Sequence, residues 1–523
     1  MRPIALLPLL AAVACSPWER LPHGSSAWHE LPLWSPDAVA LSDGLYVQLP
    51  AARALARLTP DGQWEALDLN GSVPARMIAA PDGETLLVFG AYPACDSDDP
   101  AIETVEDCED EGEELITVTE LSILREGAVV AQLPVEAHFN ALTFTSDGAR
   151  AVAYLDDTQG VDFDIAGVGN PTKVLFIDLA TGESTPVPVG FAADRILFND
   201  DDSRAVVLSR SQVVVVDLTS PDYDIAARFP LSLDVDDRVT PDDVALTPDG
   251  RYALITIAGA PELYVLDLEQ ESINIVTLAS PPTDAVVDAN ADRTLMVFGD
   301  DNRVDILEHA YFEVQEVALD EPTTRIVQGD TFALLFNDSG RNDTHDLYRL
   351  DPLTTELVEY RLENPAASVA LSPEQDYAVA ITRPEGGFID GLEGFYDANW
   401  GLEIVDLNGT RTIALVAEAE PVGLAFAEGD GPPTALVLVD GVDDLLRLDL
   451  SNGDAAPVEL VDTPLGIGAF GDGGYYITHD AALGLVSFLD PTTDTLTPIG
   501  GFASIGLIAE HEVPLPVRDG TEG

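Results

Sequence analysis

Lysine is almost missing from this chain of 523 residues: Lys173 is the only one, and Lys+Arg number 24 against 93 Asp+Glu, a net charge of −69. Clustered cations are what displace counterions from phosphate, so the deficit excludes nucleic acid as a partner. It equally excludes electrostatic docking on an anionic bilayer. Motifs of several enzyme classes are absent as well. There is no G-x-S-x-G, no G-x-x-x-x-G-K-[ST], no H-E-x-x-H and no Rossmann glycine fingerprint. The seven histidines form no H-x-H or H-x₃-H pair. No stretch of 18 apolar residues occurs, so no segment reads as a membrane-spanning helix. What is plentiful is apolar content: 46% of residues are hydrophobic and the mean hydropathy is +0.11. A disordered acidic chain would lack this, so the sequence describes a folded core under an acidic skin.

The first residues, MRPIALLPLLAAVACSPWER, carry Arg2 as a positive n-region and Ile4 to Ala14 as a short apolar segment. Ala12-Val13-Ala14-Cys15 resembles a bacterial lipobox, which implies cleavage after residue 14 and acylation of Cys15. The alternative is an ordinary secretory signal that happens to contain a cysteine. Ser16, rather than aspartate, follows Cys15, which favours outer-membrane sorting. On this reading residues 1–14 are the signal peptide, 15–27 a tether, 28–510 the folded repeats and 511–523 an acidic C-terminal tail. The protein would be extracytoplasmic, held in the cell envelope by its N-terminal lipid.

Of three cysteines, two remain, Cys95 and Cys108. They bracket one loop. In an oxidising compartment a local disulfide is the natural reading, with two free thiols as the alternative. No histidine lies near them to complete a zinc site.

A repeat runs through the rest. Its clearest copy, residues 242–281, has an apolar strand ending at Thr247, a Pro248-Asp249-Gly250 turn, a second strand from Tyr252 to Ile257, a third from Leu263 to Leu268 and a fourth through Ile273 to Leu278. Proline fixes φ, aspartate bonds its own backbone and glycine accepts φ > 0, so these turns punctuate a four-stranded meander. Related turns stand at Pro81-Asp82-Gly83, Ser146-Asp147-Gly148 and Ser372-Pro373-Glu374. Third strands end at Asp178, Asp217, Asp351, Asp406, Asp449 and Asp490, with weaker copies ending at Thr59, Arg125 and Glu308. Ten such units predict an all-β fold, a β-propeller of about ten four-stranded repeats in one large ring or two tandem rings. The apolar stretch Trp28 to Trp34 is expected to add an outer strand to the last blade or to stand as an N-terminal edge strand.

The PDG turn combined with a hydrophobic-Asp-Leu third strand resembles the YVTN-type bacterial propeller repeat, over about residues 37–500. It is more distantly similar to lactonase-type and quinoprotein-type propellers. The resemblance implies the fold far more than an activity. Quinoprotein blades would each carry a tryptophan, and only Trp64 and Trp400 fall within blades here.

Strands alternate direction within a blade, so all connections between second and third strands emerge on one face. Three are long: about Tyr92 to Glu114, the segment after Leu155, and Arg383 to Trp400. Long loops in a compact repeat are where function concentrates. The last offers Arg383, Phe388, Asp390, Phe395, Tyr396, Asp397 and Trp400 as ligand-binding residues for a sugar, peptide or cation. The plainer reading packs these aromatics inward. Asp156, Asp162 and Asp164 in the second loop could hold Ca²⁺, although no EF-hand pattern occurs. Between Asp96 and Glu114 the first loop carries 11 acids and no base, and reads as a solvated acidic loop.

The sequence therefore points to a lipid-anchored binding or scaffold protein rather than an enzyme. It needs no cofactor beyond, at most, Ca²⁺, and its partners would be envelope proteins, polysaccharide or peptides. The alternative is a Ca²⁺-assisted hydrolase or lactonase-like enzyme at the channel mouth. The acidic shell, with lysine nearly absent, fits adaptation to a saline habitat.

Overall fold

The computed structural model describes residues 38–500 except 50–53, 70–71, 96–107, 109–114, 136–138, 156–171, 192, 210–211, 233–240, 289–292, 340–343, 386–394, 396–397, 428–431, 471–472, 480–483, 492 and 494. Forty strands form ten four-stranded antiparallel sheets. Each sheet takes its four strands consecutively from the chain. These are blades 1 (Ala38–Leu67), 2 (Val73–Pro134), 3 (Ala141–Pro188), 4 (Ala193–Pro230), 5 (Pro241–Thr277), 6 (Asp284–Ala318), 7 (Arg325–Arg361), 8 (Ala366–Val416), 9 (Pro421–Glu459) and 10 (Pro464–Gly500).

Two local devices explain why the repeat folds as it does. In the turn between first and second strands, the Thr247 hydroxyl donates to Asp249 Oδ1 at 2.6 Å, and that oxygen accepts the Arg251 amide at 3.0 Å. Gly250 then takes φ +67°, a left-handed value glycine adopts without steric cost. Blade 3 repeats this with Thr145, Asp147 and Gly148. Where a third strand ends in aspartate, that residue caps the following turn. Asp178 accepts the amides of Ala180 and Thr181, and Asp351 those of Leu353 and Thr354. The aspartates are therefore an Asx-turn code, not a ligand set.

Burial follows from blade stacking. Second strands are covered on both faces and are mostly apolar, as in Thr434–Val439, where every residue is buried. Outermost fourth strands alternate, as in Ser272–Thr277. Every neighbouring pair of blades shares a hydrophobic cluster. The tenth cluster joins Leu45, Val47 and Leu58 of blade 1 to Val486, Phe488 and Ile499 of blade 10, so the molecule is one closed ten-bladed ring. The last blade is complete from its own repeat; Trp28 to Trp34 lies outside the described residues. First strands of most successive blades touch one another and line the centre.

Candidate binding face

The three long connections join second to third strands of blades 2, 3 and 8 and leave the ring on the same face. The opposite face carries the short turns.

In blade 2 the strands Thr85–Cys95 and Leu115–Arg125 each span 11 residues, about twice the usual length here, and pair along their whole extent. The first strand of the blade reaches only to Ala91, so Tyr92–Cys95 and Leu115–Val118 project as a two-stranded arm. The insertion thus begins after Cys95, later than the expected Tyr92, because the pairing continues past the ring. Cys95 and Cys108 form the expected disulfide, with Cα atoms 5.8 Å apart. It ties the acidic segment back to the end of the arm. Apart from Cys108, residues 96–114 lie outside the described residues, as do Asp156, Asp162 and Asp164 of blade 3. Among the described residues no three His, Cys, Asp or Glu side chains converge as metal ligands would.

The blade 8 loop springs from a well-anchored base. Arg383 donates its amide to Pro365 O at 3.0 Å and its guanidinium to Asp338 O at 2.9 Å, bridging to blade 7. Asp338 itself accepts Arg325 Nε at 2.7 Å and Thr324 Oγ1 at 2.8 Å. Burial would raise its pKa, but these hydrogen bonds outweigh it and hold the carboxyl below its ordinary value. At the far end the Trp400 carbonyl accepts the Ala417 amide at 2.8 Å. Phe395 is 46% exposed, so part of its ring faces solvent. Phe388, Asp390, Tyr396 and Asp397 lie outside the described residues, as does Cys15.

Beside the loop base sits a group the repeat pattern did not disclose. His345 Nε2 lies 2.6 Å from Glu385 Oε1, and its Nδ1 lies 3.2 Å from Leu362 O. Glu403, 1% exposed on the third strand of blade 8, accepts the amides of Glu363 at 2.8 Å and Asn364 at 3.3 Å. Burial pushes its pKa up to about 7 against the opposing effect of those two amides. Its Oε2 is buried with no partner. In blade 7 the equivalent service is performed by Tyr348, whose hydroxyl accepts the Glu321 amide at 2.8 Å. Register equivalence could have flagged Glu403 as an acid at an interior position. His479, the other histidine near this face, is fully buried between Asp462 O and Ser487 Oγ, both at 2.8 Å, and burial lowers its pKa. It is a structural histidine.

Towards the channel a further feature recurs. In blades 2, 4, 5, 8, 9 and 10 the first strand starts with a register shift, at Pro74/Arg76, Ala193/Arg195, Pro241/Asp243, Ala366/Ser368, Pro421/Gly423 and Pro464/Gly466. Such bulges re-aim side chains at the rim of a sheet. In blades 4 and 5 the residues after the shift, Arg195 and Asp243, pair at 3.5 Å. In blades 9 and 10 they are glycines, and the exposed residues are Val422 and Leu465. The rim is therefore charged across blades 4 and 5 and apolar across blades 9 and 10.

No family model matches the chain, and no curated protein matches it in sequence. Solved structures do resemble it. A eukaryotic initiation factor is 12% identical, with a TM-score of 0.50 over 81% of this chain and 96% of that one. The dihydro-heme d1 dehydrogenase NirN, solved in complex with DHE, is 13% identical, with a TM-score of 0.38 over 64% of this chain and 72% of that one. Apo AztD from Citrobacter koseri is 15% identical, with a TM-score of 0.36 over 66% and 93% respectively. At such identities the likeness is one of fold, and the chain is a ten-bladed β-propeller.

Proposed function

We propose that this chain is an extracytoplasmic, lipid-anchored β-propeller with YVTN-like repeats, acting as a binding or scaffold protein through the face that bears its long connections. One observation carries the reading: the stapled blade 2 arm, the blade 3 connection and the blade 8 loop with exposed Phe395 all leave the same face of one rigid ring. Rigid scaffolds presenting convergent loops are the usual way propellers hold partners. The first strand begins at Ala38 on that face too, so a tether from Cys15 would enter there. Partners of suitable chemistry are an envelope protein, a polysaccharide or a peptide. Ca²⁺ bound through Asp156, Asp162 and Asp164 would be an accessory to such binding. A melting temperature unchanged between EDTA and millimolar Ca²⁺ would remove it from the account.

Two experiments test the proposal. Deleting Gly386–Asn399 should abolish recovery of envelope partners while leaving the melting transition in place; unchanged partners would refute the binding face. A Cys15→Ser variant should leave the membrane fraction; retention after signal cleavage would refute the lipid anchor.

A further inference from the structure

The opposite face holds a separate feature at the seam between blades 8 and 9. Elsewhere on this face, neighbouring turns are laced together. Ser42 donates its amide to Gly83 O at 2.8 Å, Ser146 and Asp147 donate to the Asp202 carboxylate, and Asp330 donates to Gln375 Oε1 at 2.8 Å. The blade 9 connection departs from the repeat in length and composition. Between register-equivalent positions it has six residues (428–433) where blade 8 has four (373–376), and it ends in Pro432-Pro433, which have no N–H to donate.

Two seams carry an aromatic plug that this one does not. In blades 4 and 6 the left-handed residue of the turn before the fourth strand is aromatic, Tyr223 at φ 51° and Phe312 at φ 55°. Tyr223 stacks on Phe176 of blade 3 at 4.6 Å, and Phe312 meets Tyr252 of blade 5 edge-on at 5.7 Å. In blade 9 this position is Gly453, φ 79°, and Ile413 of blade 8 packs against it, its Cγ2 2.8 Å from where a Cβ would stand. Tyr377, which occupies in blade 8 the place Tyr252 holds in blade 5, has no ring against it among the described residues.

What remains is a cavity of about 420 Å³, within the range of small-molecule sites. Tyr377, Phe426, Pro432 and Leu450 give it apolar and aromatic walls, and Glu374 and Asp376 line its exposed rim. Among the described residues no lysine or arginine lines it. Aromatic faces and carboxylates both attract a cation, and the former favour one that is weakly hydrated. We propose that this seam is a binding site for an organic cation, a quaternary ammonium or guanidinium group carried on an apolar body. It is independent of the loop-bearing face.

The test is titration of the full chain with choline chloride, followed by ligand-observed NMR. It is done in 1 M NaCl, where a Debye length of about 3 Å suppresses diffuse attraction to the acidic shell. Neutral 3,3-dimethylbutan-1-ol is the isostere. Saturable choline binding, about tenfold tighter than the alcohol, is expected, and Tyr377→Leu should weaken it about tenfold. Glu374→Gln, which leaves the packed wall and the hydrogen bond from Asn408 Nδ2 to Asp376 Oδ1 at 2.6 Å intact, should weaken it severalfold at an unchanged melting temperature. Non-saturable uptake, equal affinity for the alcohol, or full affinity in both variants would overturn the proposal.

Discussion

The Tyr476 hydroxyl of blade 10 donates to the Ala38 carbonyl of blade 1 at 3.2 Å, joining residues 438 positions apart in the chain. Among the described residues, closure of the ring rests on side-chain packing and this bond. Gly468 makes it possible. A Cβ there would lie 2.5 Å from the Tyr476 ring, so the backbone must carry no side chain at that point.

Tyr476→Phe should therefore cost about 1 kcal/mol, the net worth of one hydrogen bond. Gly468→Val should cost more, because it displaces the ring and disturbs the cluster around Phe488. Urea midpoints check both. Equal stability of Gly468→Val and the parent chain would show that the ends do not meet as described.

Much of this architecture was legible beforehand. The Pro-Asp-Gly turns and strand-ending aspartates are short-range codes, read by the same backbone amides in blade after blade, so ten units could be counted from sequence. The arm and its disulfide were nearly legible, since only the extra pairing of Tyr92–Cys95 was missed. The closure of one ring was not, because it depends on which apolar faces meet across the chain ends. Glu403 was legible only through its register equivalence with Tyr348. Among so many acids, only its position opposite the Glu363 and Asn364 amides sets it apart. Arg383 was read as a ligand-binding residue, and the structure engages it with Asp338 O. Sequence cannot show which of two uses an arginine serves.

Reducing the Cys95–Cys108 bridge should loosen the blade 2 arm and leave the ring intact. The chain-entropy model assigns about 3 kcal/mol to a loop of this size. Limited proteolysis with and without reductant should show new cleavage confined to residues 96–114. Global unfolding on reduction would mean the arm supports the ring.

Glu403 makes stability depend on pH. Its pKa in the fold is raised from 4.5 to about 7, so the folded state holds the proton more tightly than the unfolded state. The stabilisation is complete below about pH 4.5 and is lost as pH rises through about 7. Glu403→Gln, which mimics the protonated form, should match the parent near pH 5. It should melt roughly 1–3 °C higher at pH 8. An equal difference at both pH values would show that the carboxyl does not titrate in this range.

The charge of −69 should make the fold depend on salt. The Debye length falls from about 30 Å at 0.01 M to about 3 Å at 1 M, which relieves self-repulsion of the carboxylate shell. Calorimetry should show a melting temperature that climbs from low to molar NaCl. A flat profile would contradict adaptation to a saline habitat.

The claim that the loop-bearing face is the binding face is tested most directly by photocrosslinking in intact cells, with benzoylphenylalanine placed singly at Phe395 and at Tyr311. The two positions are 46% and 73% exposed and lie on opposite faces of the ring. Crosslinked adducts of discrete mass from position 395 and none from position 311 are the predicted result. Adducts from 311 alone would place the partner on the other face and contradict the account.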